Sequence, residues 1–394
     1  MINVDLVFFD AGGGHRAAAE ALRLVMEEQG GWKIRLVNLQ ELMDPIDWVR
    51  KLTGLRMQDL YNLTLKKGWT LGTPQSVRVL QLFIRLLHPK SVRLLGDFWR
   101  SSQTDLVVSL VPHFNRAMAE SLRQVLPATR FVTLLTDIAD YPPHFWIEPL
   151  GQYVICGSDR AVTQARAMDI CDGRIFQASG MILHPRFYQT ISCDRRAERK
   201  QRGLDPDAPT GLVLFGGQGS SAMLEIAERL DAEGPHHLQL IYICGRNEKL
   251  ANTLRSRRSR LRTFVEGFTS QVPFYMALSD FFIGKPGPGS VSEAVAMKLP
   301  VIVERNAWTL PQERYNAEWV LEKHLGLVVR GPHQIPAAIR ELLERGNLAR
   351  FRAQAAAVHN RAVYEIPGIL RRIVEGTPGS PAPEPEKLLS EQRA

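Results

Sequence analysis

Val4-Asp5-Leu6-Val7-Phe8-Phe9-Asp10-Ala11-Gly12-Gly13-Gly14-His15 carries an apolar, strand-like run into three glycines and a histidine, and a helix-forming stretch follows to residue 29. A strand that passes to a helix through a glycine turn is the building unit of a parallel sheet covered by helices. The unit repeats. Strand-like runs at 4–9, 34–39, 105–110, 131–135 and 153–156 alternate with helices near 15–29, 114–125 and 159–168. After a polar, charge-dense stretch the rhythm restarts, with strands at 211–215, 238–243, 263–265, 280–283 and 301–304 and helices between them. Helices near 333–344 and 348–362 follow. The expected class is α/β with two doubly wound domains, 1–191 and 210–376, joined by a linker at 192–209 and followed by a disordered Pro-rich tail at 377–394.

The 394 residues agree with two domains at roughly 100–200 residues each. A chain that is 45% hydrophobic and 23% charged is not a disordered polymer, a collagen-like fibre or a disulfide-stapled mini-protein. No run reaches the ~18 uninterrupted apolar residues of a membrane-spanning helix, and the first residues lack the pattern of a secretory signal. A soluble or peripheral protein on the cytoplasmic side is expected. Cys156, Cys171, Cys193 and Cys244 are scattered without metal-ligand spacing, so they read as reduced thiols and no metal is expected.

Charge is unevenly placed. The net +8 equals the excess in residues 48–102, where ten basic side chains face two acidic ones. Trp48, Lys51, Lys66, Lys67, Trp69, Arg85 and Trp99 lie in this insertion among many leucines. Basic residues mixed with Trp and Leu on helices suit a surface lying on anionic lipid. A solvated helical insertion is the plainer alternative. No nucleic-acid-binding module accompanies the charge, so nucleic acid is not an expected partner.

Four motifs carry chemistry. The first, Asp10 to His15, lacks the acidic residue about 20 positions on that a dinucleotide site uses, since Asn38 and Leu39 stand there. It also lacks the Lys-Ser/Thr ending of a P-loop. What remains is a histidine at a cleft-facing turn, with an ordinary pKa near ~6.5 suited to proton abstraction, or a histidine that only caps its helix. The second, Phe215-Gly216-Gly217-Gln218-Gly219-Ser220-Ser221, and the third, Lys285-Pro286-Gly287-Pro288-Gly289-Ser290-Val291-Ser292-Glu293, each follow a strand and start a helix. Such turns offer N–H groups to phosphate or serve only as tight turns. Glu293 is placed to bind ribose hydroxyls, or to serve the helix dipole. The fourth, Pro311-Gln312-Glu313-Arg314-Tyr315-Asn316, puts Gln312 and Glu313 where they can read a sugar. Asp137, after the strand at 131–135, is a candidate to orient His15 or the acceptor, with helix capping as its alternative.

Taken in order, GGGHRAAAEAL, LLTD, FGGQGS, ICGRN, KPGPGSVSEA and PQERYN resemble the monogalactosyldiacylglycerol synthases of glycosyltransferase family 28, over roughly residues 1–329. The resemblance implies the GT-B fold, two Rossmann-like domains facing a central cleft. It implies a UDP-sugar on the second domain and a lipid acceptor on the first. His15 then matches the proposed general base, and Gly12, Gly13 and Gly14 its loop on the acceptor side. Gly217 and Ser220 match the diphosphate loop, and Arg246 lies in the matching CGRN string. Gly287, Gly289 and Glu293 match the nucleotide loop and its ribose carboxylate, while Gln312 and Glu313 match the pair at the sugar. Gln218, Pro286 and the run after Thr136-Asp137 depart from the usual synthase motifs, which bears on acceptor and sugar choice.

The expected reaction moves galactose or glucose from a UDP-hexose to diacylglycerol at a membrane surface, with inversion and without a cofactor. Asp205-Pro206-Asp207 precedes a strand rather than closing one, unlike the Asp-x-Asp of metal-dependent transferases. Alternatives are an N-acetylglucosaminyltransferase with a polyprenyl-linked acceptor, a UDP-N-acetylglucosamine 2-epimerase, and a non-enzymatic basic binding module.

Overall fold

The computed structural model describes residues 1–10, 13–46 and 73–376, the last segment with its side chains from residue 84 onward. The expectations placed on Gly12, Trp48, Lys51, Lys66, Lys67, Trp69 and the 377–394 tail lie outside these residues.

Two six-stranded sheets, parallel throughout, organise the chain. The first contains β1 (Ile2–Phe8), β2 (Trp32–Asn38), β3 (Leu106–Ser109), β4 (Arg130–Leu134), β5 (Tyr153–Cys156) and β6 (Ile175–Gln177) in the order β2-β1-β3-β4-β5-β6. The second contains β7 (Thr210–Leu214), β8 (Gln239–Ile243), β9 (Arg262–Glu266), β10 (Phe281–Gly284), β11 (Val301–Glu304) and β12 (Gly326–Val329) in the order β12-β11-β10-β7-β8-β9. Their central strands are apolar without alternation because helices cover both faces, and every residue of β3, β7 and β8 is buried. The order reverses between β1 and β3 in one sheet and between β7 and β10 in the other. Open α/β sheets bind ligands beyond the strand ends at such a reversal. Both reversals therefore aim their loops at one cleft.

The helix Gly14–Gln29 shows how sequence sets this up. Its alanine-rich start favours helix, and Ala18, Leu22 and Met26 recur at a spacing of four, so one stripe is buried against β1. At its end the Gly30 N–H closes onto the Met26 and Glu27 carbonyls.

Packing redraws the expected domain limits in two places. Residues 192–209 are not a free linker. The helix Arg195–Gln201 inside them, capped by the Asp194 carboxylate, is tied to the second domain through Arg195 and Arg199, which reach Asp280 at 2.7 and 2.8 Å. The expected helix at 348–362 ends at Ala357, as Asn347–Ala357, and is followed by a helix not anticipated from sequence, Ala362–Val374. The latter leaves the second domain, and its Ile366, Leu370 and Ile373 join Val4, Leu22, Met26 and Leu106 in the first domain's core. An amphipathic helix follows its buried stripe to whichever sheet completes it.

Within the basic insertion, the helix Thr73–Arg100 presents Arg85, Lys90, Arg93 and Arg100 to solvent. Trp99, expected at the membrane surface, is instead 0% exposed, and its Nε1 donates to Ser121 Oγ at 2.9 Å. The spacing Val92, Leu95, Trp99 puts it on the inward stripe with Met118 and Leu122. A buried Trp removes roughly 150–250 Å² from water, a gross gain of about 4–6 kcal/mol at about 25 cal/mol per Å². That gain outweighs any interfacial preference. Among the described residues no helix is long and apolar enough to cross a membrane.

Candidate active site

A cleft of about 690 Å³ separates the carboxyl ends of the two sheets and is lined from both domains. From the first domain come the turns after β1, β3 and β4. From the second come those after β7, β10 and β11. Gly13, Gly14, His15, Asp137, Gly217, Gly287, Gly289, Glu293, Gln312 and Glu313 all line it. Stretches far apart in both halves of the sequence thus meet in one space.

His15 stands in the first turn of the helix Gly14–Gln29, and its Nδ1 lies 2.8 Å from Thr136 Oγ1. Its ring faces that of Trp146 with centroids 5.7 Å apart. Burial lowers its pKa to about 4, with the Leu110 backbone carbonyl pulling the other way. The imidazole is therefore neutral at neutral pH, the form a base must start from, and its pKa lies below the ordinary value of ~6.5 expected from sequence.

Asp137 does not orient His15 directly. Its Oδ2 accepts from Trp146 Nε1 at 2.9 Å, and burial pushes its pKa up to about 7, with Glu313 and Asp140 adding to the rise and Lys285 opposing it. Asp140 Oδ1 accepts the Trp146 backbone N–H at 2.7 Å. The two carboxyls fix Trp146, Trp146 stands beside His15, and Thr136 sets the ring angle. Thr136 and Trp146 were not singled out from sequence, although Thr136 sits inside the LLTD string. His113, after β3, was also missed. It adopts a left-handed φ of 68°, donates its N–H to Phe145 O at 2.7 Å and lines the cleft, where burial lowers its pKa to about 4.

The second-domain wall is built from turns that touch. A Cβ on Gly245, at φ 58°, would stand 2.3 Å from the Gly217 carbonyl oxygen, so glycine alone lets the turn after β8 reach the turn after β7. The neighbouring Arg246 N–H donates to that same oxygen at 2.9 Å. The Arg246 side chain is exposed and lies over the Phe268 ring at 5.0 Å, outside the cleft wall. Ser220 is also outside it, its Oγ accepting the Ala222 N–H at 3.3 Å at the helix start. The helix Pro288–Ala296, with Gly287 as N-cap, presents its N-terminus to the cleft. Asn316 holds this loop, donating from Nδ2 to Pro286 O at 2.7 Å.

Glu293 lines the cleft without a hydrogen-bond partner among the described residues, and burial pushes its pKa up to about 7, opposed by Arg186. Glu313 Oε1 accepts from Lys285 Nζ at 2.9 Å. Towards the insertion the wall turns apolar, with Met43, Ile46, Ile84, Leu87 and Phe114. One end of the cleft is therefore polar and rich in N–H groups, and the other is greasy.

Residues 211–364 match the glycosyltransferase family 28 C-terminal domain. Over 377 residues the chain is 27% identical to the chloroplastic monogalactosyldiacylglycerol synthase of Spinacia oleracea, covering 92% of this chain and 70% of that protein. It is 26% identical over 349 residues to the chloroplastic monogalactosyldiacylglycerol synthase 1 of Arabidopsis thaliana, covering 85% of this chain and 64% of that one. Similar solved structures include MurG of Acinetobacter baumannii, with a TM-score of 0.62 at 12% identity over 94% of this chain and 100% of that one. The MnaA-UDP co-structure from S. aureus has a TM-score of 0.60 at 14% identity over 95% of this chain and 96% of that one. At such identities the structural likeness shows the fold alone.

Proposed function

Because residues 211–364 match the glycosyltransferase family 28 C-terminal domain and the chain has the GT-B fold and is similar to the monogalactosyldiacylglycerol synthases, we propose that it transfers galactose or glucose from a UDP-hexose to diacylglycerol at a membrane surface. The observation that carries this reading is the meeting, in one cleft, of a neutral buried imidazole and a glycine-rich helix N-terminus.

In this reading His15 takes the proton of the acceptor hydroxyl as that oxygen attacks C1 of the sugar. The C1–O bond to the diphosphate breaks with its electron pair staying on UDP, through an oxocarbenium-like transition state and with inversion. In this reading the helix start at Pro288 and the N–H groups after β7 offset the developing negative charge, with no metal assigned a part. Glu293 accepts the ribose hydroxyls.

A lipid acceptor is supported by the two synthases and by the apolar end of the cleft. Peripheral placement on the cytoplasmic face of an anionic membrane is supported by the outward basic face of the helix Thr73–Arg100, where Leu86 is 67% exposed beside Arg85 and Lys90. The test is turnover with UDP-galactose or UDP-glucose and diacylglycerol in anionic mixed micelles containing EDTA, with the product weighed by mass spectrometry. A hexosyl-diacylglycerol is expected. UDP binding without product would shift the acceptor to another lipid alcohol, such as a polyprenyl-linked sugar.

A further inference from the structure

Lys285 follows β10 directly and opens the loop that leads into the helix Pro288–Ala296. Its stem runs between the two glycine turns of the second domain. A Cβ on Gly216 would lie 3.6 Å from Lys285 Cε, and one on Gly287 would lie 3.5 Å from it. The ammonium is held in the cleft by Glu313, at 2.9 Å, with the two side chains 35% and 10% exposed. Across the cleft its charge acts on Asp137 of the first domain. Arg186 is the other cation lining the cleft among the described residues, and it lies on the side of Glu293, donating to Ser270 O at 2.8 Å. Lys285 is thus the cation set between both loops that would hold a diphosphate, on a flexible stem that can turn without backbone movement.

We propose that Lys285 is the group that receives the leaving diphosphate, exchanging Glu313 for a phosphate oxygen when donor binds. This rests on the UDP-sugar reading above. The exchange does two things at once. The ammonium offsets the charge that arrives on the diphosphate as the C1–O electron pair moves to it. The released Glu313 carboxylate is then able to accept hydrogen bonds from the hexose hydroxyls. Resting pair and working pair are alternatives for one cation, so an empty cleft does not hold an uncompensated charge.

The experiment compares UDP and uridine binding by calorimetry for the full chain and for Lys285→Met, Lys285→Arg and Glu313→Gln. For Lys285→Met, UDP affinity should fall about 10- to 100-fold, the range of a charge-assisted hydrogen bond, while uridine affinity is unchanged. Lys285→Arg should recover most of the loss, and Glu313→Gln should bind UDP no more weakly than the unsubstituted protein. Equal loss of UDP and uridine, or undiminished UDP affinity in Lys285→Met, would overturn the assignment. Weaker UDP binding in Glu313→Gln would overturn the exchange. If the unsubstituted protein binds no UDP, the donor reading itself fails and takes this inference with it.

Discussion

At His15 the sequence and the structure give different halves of one site. The strand, the glycines and the histidine were readable as a turn that points an imidazole at a cleft, because turn chemistry is local. What sets that imidazole was not readable, because Thr136 and Trp146 reach it from another strand end. The base role predicts that His15→Ala loses on the order of two to four decades of turnover while UDP titrates as before; turnover within a few-fold of the parent would remove His15 from the chemistry. Glu293 gives a pH prediction. Its pKa is pushed up to about 7, and only the ionised carboxylate can accept from both ribose hydroxyls. Donor affinity should therefore be full above pH 7 and fall as pH drops through that value. Affinities measured from pH 6 to 8.5 should show this slope in the parent and a flat line in Glu293→Gln.

Among elements, the inner strands and two of the edge strands, β2 and β9, were legible. β5 and β11 were read to the residue because short runs rich in Val and Ile between helical stretches favour a strand. The edge strands β6 and β12 were not anticipated. Each is three or four residues long, shorter than the edge strands β2 and β9, so few apolar residues mark it. Trp99 was misread for a related reason, since a basic helix with Trp and Leu has the same composition whether its apolar stripe meets lipid or protein. The touching turns of the second domain yield a contrast of two glycines. Gly245→Ala forces a Cβ against the Gly217 carbonyl at a left-handed φ, so it should cost about 1–3 kcal/mol of stability and weaken UDP binding. Gly217→Ala meets no atom within 4 Å and should leave the melting temperature unchanged while weakening UDP. Paired thermal melts and UDP titrations would decide, and a destabilised Gly217→Ala would contradict the open space seen there.

The molecule as a whole is two sheets whose order reverses at facing points, and that much followed from the βα rhythm read twice. The return of the helix Ala362–Val374 to the first sheet did not, because an amphipathic stripe states that a face is buried without naming its partner. Leu370→Asp places a charge in that packing, where Leu370 is 0% exposed. It should cost at least about 3 kcal/mol. The loss should fall on the first domain, seen as an early transition in calorimetry, with UDP still bound by the second. A single transition shifted as one, or loss of UDP binding at the same temperature, would show that the domains do not melt separately.

The same crossing helix sets a timetable for the chain during synthesis. The first domain's strands leave the ribosome early, yet the stripe that Leu22, Met26 and Trp32 present to Ile366 and Leu370 stays uncovered until the entire second domain has been translated. The half of the protein that is made first is therefore the half that finishes folding last, and for that interval it depends on whatever shields nascent apolar surface in the cell.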